Sequence, residues 1–315
     1  MNIVKYKDWL TEWLENYVKP TSKIRTYDRY AGIVSSYLAP ALGQYEAGDI
    51  TPVVIQKFVT SLSENGSKRS GCALAANSVN VIVNVIQSSL KTAFNVGYVR
   101  EYTADKIKRP KASEKKVECF TLAEQKKIEK AVSADVNGKL FGILLALYTG
   151  LRIGEVLALR WEDIDLKTGM LEVSRSCHDG KDKSGKTTRI EDTPKTASSV
   201  RAIPLPRQLL PAIREQKKRS ASEFVVTNKG KTILVRSYQE TFERLLRRLG
   251  ISHKGFHALR HTFATRALEC GMDVKTLSEI LGHKSPTVTL NRYVHSMMEH
   301  KKDMMNKLGK LYIDN

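Results

Sequence analysis

The sequence lacks most of the features that mark secreted, zinc-binding or membrane-spanning proteins. Its cysteines form no Cys-x-x-Cys pair, which argues against a zinc ribbon or a disulfide framework. The four cysteines are Cys72, Cys119, Cys177 and Cys270. The first residues contain no apolar run of the kind found in signal peptides. The most apolar stretch, residues 79–86, is interrupted by Asn80 and Asn84 and is too short to cross a bilayer. These absences favour a soluble protein of the reducing cytoplasm, without a membrane partner.

Recognisable sites for small cofactors are also scarce. The sequence has no glycine-rich phosphate loop, no metal-ligand cluster and no group of carboxylates suited to Mg²⁺, so we expect neither a metal nor an organic cofactor. Acidic residues are few: 33 Asp and Glu stand against 52 Lys and Arg, which gives a formal net charge of +19. Such an excess is typical of proteins that bind a polyanion, because each neutralised phosphate releases condensed counterions. Nucleic acid is the expected partner, and an anionic membrane surface is the alternative that charge alone leaves open.

Residues 1–104 contain a series of helical patterns. Apolar residues recur at helical spacing over residues 6–18 and 25–38. Thr51 and Pro52 place a capping hydroxyl before a proline, the favoured order at a helix start, for a helix that runs to about Leu62. Residues 78–96 form the most apolar pattern and are predicted to be the central helix. The sequence therefore predicts a compact bundle of four helices.

A basic segment, residues 105–118, follows the predicted bundle. Such a run is usually a solvated linker, and its charge here also suits a path along a phosphate backbone. The basic residues of this segment are Lys106, Lys108, Arg109, Lys111, Lys115 and Lys116. A chain of 315 residues favours two domains over one. We expect this segment to separate the bundle from a second domain that covers residues 119–295.

The second domain is predicted to be mainly helical with a small antiparallel sheet. Thr121 and Glu124 form a capping box ahead of a helix. Further helices are predicted at residues 138–148, 151–159, from Pro206 onwards, and at 236–249, 257–270, 274–281 and 287–293, with a last one near 297–308. Strands are predicted at residues 170–174, 187–191, 201–205 and 224–227, and Lys195 is interpreted as the tip of a hairpin. The fold class is therefore mainly α with a small antiparallel β-sheet.

Six residues of this domain carry groups suited to phosphoryl transfer. They are Arg152, Lys195, His257, Arg260, His283 and Tyr293. Two arginines can hold one phosphate bidentately, and a tyrosine becomes a nucleophile when a base or an electropositive pocket activates it. Each residue alone also fits an ordinary role as a helix cap, a surface ion pair or a packing contact. His257 and Arg260 are three apart and share a helix face, whereas His261 is expected to point elsewhere.

The order and context of these residues resemble those of the tyrosine recombinases, or phage-type integrases. The matching segments are Thr149-Gly-Leu-Arg-Ile-Gly-Glu155, Pro194-Lys-Thr-Ala-Ser-Ser-Val-Arg-Ala-Ile-Pro-Leu205, His257-Ala-Leu-Arg-His-Thr-Phe-Ala264, Leu281-Gly-His283 and Tyr293-Val-His295. The family's Arg, Lys, His-x-x-Arg, His and Tyr fall on the six residues named above. The sequence most resembles integrases of Gram-positive conjugative transposons and phages. His283 and Tyr293 lie ten residues apart, where many relatives have nine.

This resemblance implies a metal-free reaction through a covalent intermediate. Tyr293 would attack phosphorus and form a 3′-phosphotyrosyl bond, leaving a free 5′-hydroxyl. Arg152 and Arg260 would hold the non-bridging oxygens of the scissile phosphate and stabilise the charge that develops there. His257 would act as general acid or base near the nucleophile, and Lys195 would protonate the departing 5′-oxygen.

Two further residues have supporting roles in this interpretation. His283 would hydrogen-bond a non-bridging oxygen or the attacking group. Glu155 lies one helical turn from Arg152, and we expect it to orient that arginine rather than to react.

The resemblance also implies partners and an architecture. A helical core-binding domain and an α+β catalytic domain would form a C-shaped clamp on double-stranded DNA at core recombination sites. The expected assembly is a tetramer on DNA, with the tail, residues 296–315, docked on a neighbouring protomer, and a tail folded back on its own domain is the alternative. An excision factor and host DNA-bending proteins are further expected partners, in the bacterial cytoplasm at the nucleoid. Many relatives begin with a small domain that binds arm sites, whereas the resemblance here begins at the core-binding domain. Either the protein naturally lacks the arm domain or the sequence is truncated, and truncation is the alternative that we favour.

Two other classes of protein remain open from the sequence. A type IB topoisomerase uses the same groups and the same covalent intermediate without pairing specific sites. A non-catalytic DNA-binding relative would not need the complete set of six residues. The expected function is therefore that of a site-specific recombinase that integrates and excises a mobile element.

Overall fold

A computed structural model describes residues 4–67, 71–112, 117–135, 138–182, 184–192, 200–283 and 285–293, with residues 291–293 described by their backbone alone. Five positions between 302 and 309 are also described. The chain divides into two compact units, Met1–Lys115 and Lys116–Asn315. Most of the predicted helix near 297–308 and most of the predicted tail lie outside the described residues.

The first unit contains the helices that the sequence predicts. They are α1 (Tyr6–Trp13), α2 (Ile24–Ile33), α4 (Pro52–Asn65) and α5 (Ala76–Asn95), and a short helix between α2 and α4, α3 (Ala39–Leu42), was not predicted. The first two continue as wider π-helical turns, Leu14–Val18 and Val34–Leu38. Thr51 caps α4 as expected, since its side chain accepts from the Val54 amide and Pro52 takes the first helical position.

The core of the first unit lies between α1 and α5. Trp9 and Trp13 are buried, with 0% and 2% of their surfaces exposed. The Trp9 indole donates to the Ser89 carbonyl at 3.1 Å, and the hydroxyls of Tyr6 and Ser89 lie 2.7 Å apart. The buried polar ends of these aromatic residues are therefore hydrogen bonded. Because α5 also packs against α2 and α4, its predicted central position is confirmed.

Part of the segment expected to be a linker is attached to the first unit. Gln56 on α4 binds the backbone of Lys108 twice, donating to its carbonyl at 3.3 Å and accepting from its amide at 2.8 Å. On α5, Gln87 donates to the carbonyl of Ala104 at 2.8 Å, and Asn80 donates to that of Pro110 at 3.1 Å. Residues 104–110 are thus held by side chains of the bundle rather than crossing solvent as a free tether.

The second unit begins with three helices around an apolar centre. They are α6 (Leu122–Ser133), α7 (Phe141–Thr149) and α8 (Ile153–Ala158). The capping box that the sequence predicts is present: the Thr121 hydroxyl accepts from the Glu124 amide, and the Glu124 carboxylate accepts from the Thr121 amide at 2.8 Å. Helix α7 is buried on almost every side, consistent with its apolar sequence.

Among the described residues of the second unit, five short strands form two antiparallel sheets. The strands are β1 (Ile164–Asp165), β2 (Met170–Val173), β3 (Ser176–Lys181), β4 (Thr187–Asp192) and β5 (Arg201–Pro204). One sheet has the order β1-β2-β5, with Leu171 opposite Ile203. The other pairs β3 with β4, with Cys177 opposite Glu191. The small antiparallel β component of the predicted fold is confirmed.

The prediction of a hairpin around Lys195 is wrong, because the two strands that would form it do not pair with each other. The strands on either side of Lys195 are β4 and β5, and each pairs with a different, earlier strand. Lys195 itself lies outside the described residues. The strand predicted at residues 224–227 is also wrong, because only an isolated bridge joins Phe224 to Arg160. Strands β1 and β3 were not predicted, since β1 has two residues and β3 reads Ser-Cys-His-Asp-Gly-Lys, without apolar alternation.

Where the structure describes it, the remainder of the second unit is mainly helical, as predicted. It contains α9 (Leu210–Arg219), α10 (Val235–Arg248), α11 (His257–Glu269), α12 (Val274–Leu281) and α13 (Pro286–Tyr293). Helix α11 packs against α7, and α13 packs against α12. Through the part of the chain that the structure describes, no helix is long and apolar enough to cross a membrane.

Candidate active site

The turn between α7 and α8 places Arg152 at a helix start. Gly150 ends α7 with a φ of 69°, and a Cβ at this position would lie 2.6 Å from the ring of Phe263, so glycine is required. The Glu155 carboxylate accepts from the backbone amide of Arg152 at 2.9 Å and from its Nη1 at 2.7 Å. Glu155 therefore fixes both the backbone and the guanidinium of Arg152. The Arg152 side chain remains 40% exposed.

Arg260 lies in the first turn of α11 and is almost fully buried, with 1% of its surface exposed. Its Nη1 donates to the carbonyl of Gly150 at 2.8 Å, and its Nη2 donates to that of Leu281 at 2.7 Å. These bonds tie α11 to the end of α7 and to the end of α12. His257 begins α11 and is exposed.

The prediction that His261 points away from His257 is wrong. The two imidazole rings form an edge-to-face pair with centroids 4.5 Å apart and an interplanar angle of 89°. A separation of four residues places both side chains on one face of a helix, which explains the contact. His257 is exposed while His261 is buried, so the inner ring supports the outer one.

His283 follows the end of α12, as the Leu-Gly-His pattern predicts. Gly282 supplies the left-handed cap with a φ of 64°, and the His283 amide donates to the Ser278 carbonyl at 3.0 Å. The His283 Nδ1 lies 2.7 Å from the hydroxyl of Thr289 on α13, which is fully buried. The imidazole is thus held between the end of α12 and the start of α13.

Three arginines donate to three consecutive carbonyls at the end of α12. The Ile280 carbonyl accepts from Arg201 Nε at 2.6 Å, the Leu281 carbonyl from Arg260 Nη2 at 2.7 Å, and the Gly282 carbonyl from Arg152 Nη2 at 3.4 Å. The last carbonyls of a helix have no partner within the helix and carry its negative dipole end. The end of α12 therefore orients the guanidinium groups and stabilises their charge.

Arg201 completes this arrangement and was not predicted as a site residue. Its Nη1 and Nη2 donate to the two oxygens of Glu155 at 3.2 and 2.9 Å, and the two side chains are only 7% and 8% exposed. Burial raises the pKa of Glu155, but the hydrogen bonds and charge of Arg201 and the charge of Arg152 outweigh it and lower this pKa to about 2. Glu155 is therefore a charged support at neutral pH rather than a proton carrier.

The remaining candidates are placed only in part. Tyr293 is the last residue of α13, the helix that packs against α12, and its side chain is not described. Lys195 lies between the end of β4 and the start of β5, outside the described residues. The structure thus joins Arg152, Arg260 and His283 through the end of α12, with His257 one turn from Arg260. Among the residues that the structure describes, no cluster of His, Cys, Asp or Glu could hold a metal ion.

Comparison with known protein families gives two matches that cover most of the chain. The phage integrase family matches residues 119–300, and the N-terminal SAM-like domain of phage integrases matches residues 5–63. A tyrosine recombinase XerC-like protein of Caldanaerobacter subterraneus is 31% identical over 97% of this chain and 83% of its own length. The ICEBs1 integrase of Bacillus subtilis is 27% identical over 92% of this chain and 79% of its own length.

Two solved structures share the fold. The Tn1549 transposon integrase in complex with transposon right-end DNA has a TM-score of 0.80 at 22% identity, covering 97% of this chain and all of that chain (100%). A lambda integrase tetramer bound to a Holliday junction has a TM-score of 0.68 at 21% identity, covering 90% of this chain and 79% of that chain. Together with the two matching domains and the residues assembled around α12, these likenesses show that the chain belongs to the phage integrase family, the family of the tyrosine recombinases.

Proposed function

We propose that this protein is a site-specific recombinase that integrates and excises a mobile element through a 3′-phosphotyrosyl intermediate. The observation that carries the proposal is the convergence of Arg152, Arg260 and His283 at the end of α12, with Tyr293 at the end of the next helix. The relatives named as integrases and the transposon integrase solved with DNA support the same reaction class.

The arginines would bind the scissile phosphate and stabilise its transition state. Guanidinium groups keep their charge and present paired donors that match phosphate oxygens. Arg152 is partly exposed and already oriented by Glu155, so it can meet a phosphate without reorganising. Arg260 is buried in this structure. A phosphate can reach it only if the surrounding chain opens when DNA binds.

In the proposed cleavage step, the Tyr293 oxygen bonds to phosphorus as the bond from phosphorus to the 5′-oxygen breaks. His257 would take the phenolic proton, and Lys195 would give a proton to the departing 5′-oxygen. His283, held by Thr289, would donate to a non-bridging oxygen. The 5′-hydroxyl of another strand can reverse the step, so the phosphodiester energy is conserved in the protein–DNA bond.

The net charge of +19 supports duplex DNA as the partner. The two units, with boundaries near residues 104 and 119, would close around the duplex as a C-shaped clamp, and the basic segment between them would contact phosphates. The assembly would be a tetramer on DNA, like the lambda integrase solved on a Holliday junction. The tail, residues 296–315, would dock on a neighbouring protomer. Deleting the residues after Ser296 should then abolish synapsis while single-site binding persists, and intact synapsis would contradict the docking.

The covalent intermediate can be tested with a nicked suicide duplex that carries the core site from the element's end. Wild type and Tyr293→Phe are compared in EDTA, and DNA binding by both proteins is measured in parallel. We expect an adduct that resists denaturant with wild type alone, because Phe lacks the attacking oxygen. Tight binding without any adduct would favour a non-catalytic DNA-binding protein. Relaxation of a plasmid without a recombination site would favour a topoisomerase.

A further inference from the structure

Arg201 is a buried arginine whose side chain joins three elements of the second unit. It stands at the start of β5, and 7% of its side chain is exposed. Its Nη1 and Nη2 bind the two oxygens of Glu155 on α8, and its Nε binds the carbonyl of Ile280 on α12. All three guanidinium nitrogens are therefore engaged in contacts that span the chain from residue 155 to residue 280. The described contacts are all to protein groups that support the proposed phosphate site.

The same carboxylate links Arg201 to Arg152. Glu155 Oε1 accepts from Arg152 Nη1 at 2.7 Å and from Arg201 Nη1 at 3.2 Å. Glu155 Oε2 accepts from the Arg152 amide at 2.9 Å and from Arg201 Nη2 at 2.9 Å. Since both oxygens are shared, Arg201 and Arg152 together hold the orientation of this carboxylate, and Arg201 is the more buried of the two arginines. Any rotation of Glu155 would turn the guanidinium of Arg152 with it.

A second route runs through the end of α12. Arg201 packs against Gly282, where a Cβ would approach its Cδ to 3.0 Å. The carbonyl of Gly282 is the other acceptor for Arg152, and His283 follows it directly. Arg201 thus fixes both groups that hold Arg152.

We infer that Arg201 is a positioning residue, which sets the direction of the Arg152 guanidinium through Glu155 and the last turn of α12. This inference rests on the proposed recombinase function. A lysine at position 201 would keep the charge, but its one nitrogen cannot occupy the three separate positions from which Nε, Nη1 and Nη2 of Arg201 donate. Arg201→Lys should therefore loosen Arg152 while leaving the local charge intact.

Arg189 offers a matched control in the same unit. Its side chain is also 7% exposed, and it pairs with Glu191 at 2.9 Å while its guanidinium lies 4.6 Å from the centre of the Phe224 ring. None of these described contacts involves α8 or α12. Arg189→Lys therefore tests the same substitution at the same burial, away from the phosphate site.

The experiment measures single-turnover formation of the Tyr293 adduct on two substrates, the ordinary phosphodiester and a methylphosphonate at the scissile position. The methylphosphonate replaces one non-bridging oxygen by a neutral methyl group, so it depends less on arginine contacts. We expect Arg201→Lys to slow the phosphodiester reaction about 10-fold or more, because small misplacements of binding groups cost rates of that order. We expect a clearly smaller loss on the methylphosphonate. Arg189→Lys should stay within about twofold of wild type on both substrates.

A general structural defect would slow both substrates equally, and this result in Arg201→Lys would overturn the inference. A wild-type rate in Arg201→Lys would also overturn it. If Arg201→Lys does not fold, Glu155→Gln replaces it, since that variant keeps the side-chain shape and weakens the same link. It should show the same preferential loss on the phosphodiester, and an unchanged rate would count against Arg201. Failure of the recombinase proposal is distinct, because the wild type itself would then form no Tyr293-dependent adduct.

Discussion

Replacing Glu155 by glutamine should remove a large part of the stability that the second unit gains from its buried ion pair. The Glu155 carboxylate is 8% exposed and accepts from both Nη atoms of Arg201. Its pKa of about 2 lies well below the ordinary value of 4.5, although burial acts in the opposite direction. The charged form is therefore favoured by folding.

The magnitude follows from the difference between these two values. One pKa unit corresponds to about 1.4 kcal/mol, so ionised Glu155 contributes about 3 kcal/mol to the free energy of unfolding at neutral pH. Because the pKa is lowered in the folded state, this contribution is complete above a pH of about 4.5 and is lost as the pH falls towards about 2. Glutamine does not titrate. Wild type and Glu155→Gln should therefore differ by about 3 kcal/mol at neutral pH and converge in acid.

Urea unfolding at a series of pH values, followed by tryptophan fluorescence, measures this difference. Trp161 reports on the second unit, while Trp9 and Trp13 report on the first, where the substitution should have no effect. The unfolding of the first unit is thus an internal control. A gap below about 1 kcal/mol at neutral pH, within the range of ordinary surface changes, would refute the reasoning. A difference in unfolding free energy between the two proteins that does not narrow as the pH is lowered would also refute the reasoning.

Two further predictions concern the basic segment and the cap of α12. The first variant replaces five lysines of the basic segment by glutamine: Lys106, Lys108, Lys111, Lys115 and Lys116. Its affinity for DNA, measured by fluorescence anisotropy, should depend less on salt than that of the wild type. The slope of log Kd against log salt concentration should fall by about 0.9 for each phosphate that the variant no longer neutralises. An unchanged slope would mean that these lysines are only solvated. Gly282→Ala should lower the unfolding free energy by about 1 kcal/mol and slow adduct formation, because alanine is strained at a φ of 64° and its Cβ would press on Arg201. Gly250→Ala, with a φ of 65° and no atom within 4 Å of its Cβ, is the control, and equal slowing by both would exclude a role for Arg201.

Local signals in the sequence predicted the helical framework and several of its ends. The Thr121 capping box and the Thr51-Pro52 start depend on residues within one turn of each other, so the sequence alone specifies them. Gly282 predicted the left-handed cap that places His283 after α12. The burial of α7 and the central position of α5 follow from their apolar composition.

Contacts between segments that are far apart in the sequence could not be predicted from such local signals. Arg201 lies 46 residues from Glu155 and 79 from Ile280. It falls within the matching segment Pro194 to Leu205, but no local pattern in that segment indicates these two partners. The pairing of β4 with β3, and of β5 with β2, likewise depends on segments that a local pattern does not connect. The contact of His257 with His261 is different. Their spacing of four residues places both side chains on one helix face, so the contact is predictable from the sequence although the prediction made from it was wrong.

The charges around the end of α12 suggest why the site needs three arginines and only one carboxylate. Arg152, Arg201 and Arg260 carry three positive charges and Glu155 one negative charge, which leaves a net charge of two. The proposed transition state carries two negative charges, one from the phosphodiester and one from the attacking phenolate. Without DNA, the excess is offset by the negative dipole end of α12, through the carbonyls of Ile280, Leu281 and Gly282. The charge of the guanidinium groups is thus offset by weak partial charges rather than by further carboxylates, which would compete with the phosphate for Arg152 and Arg260.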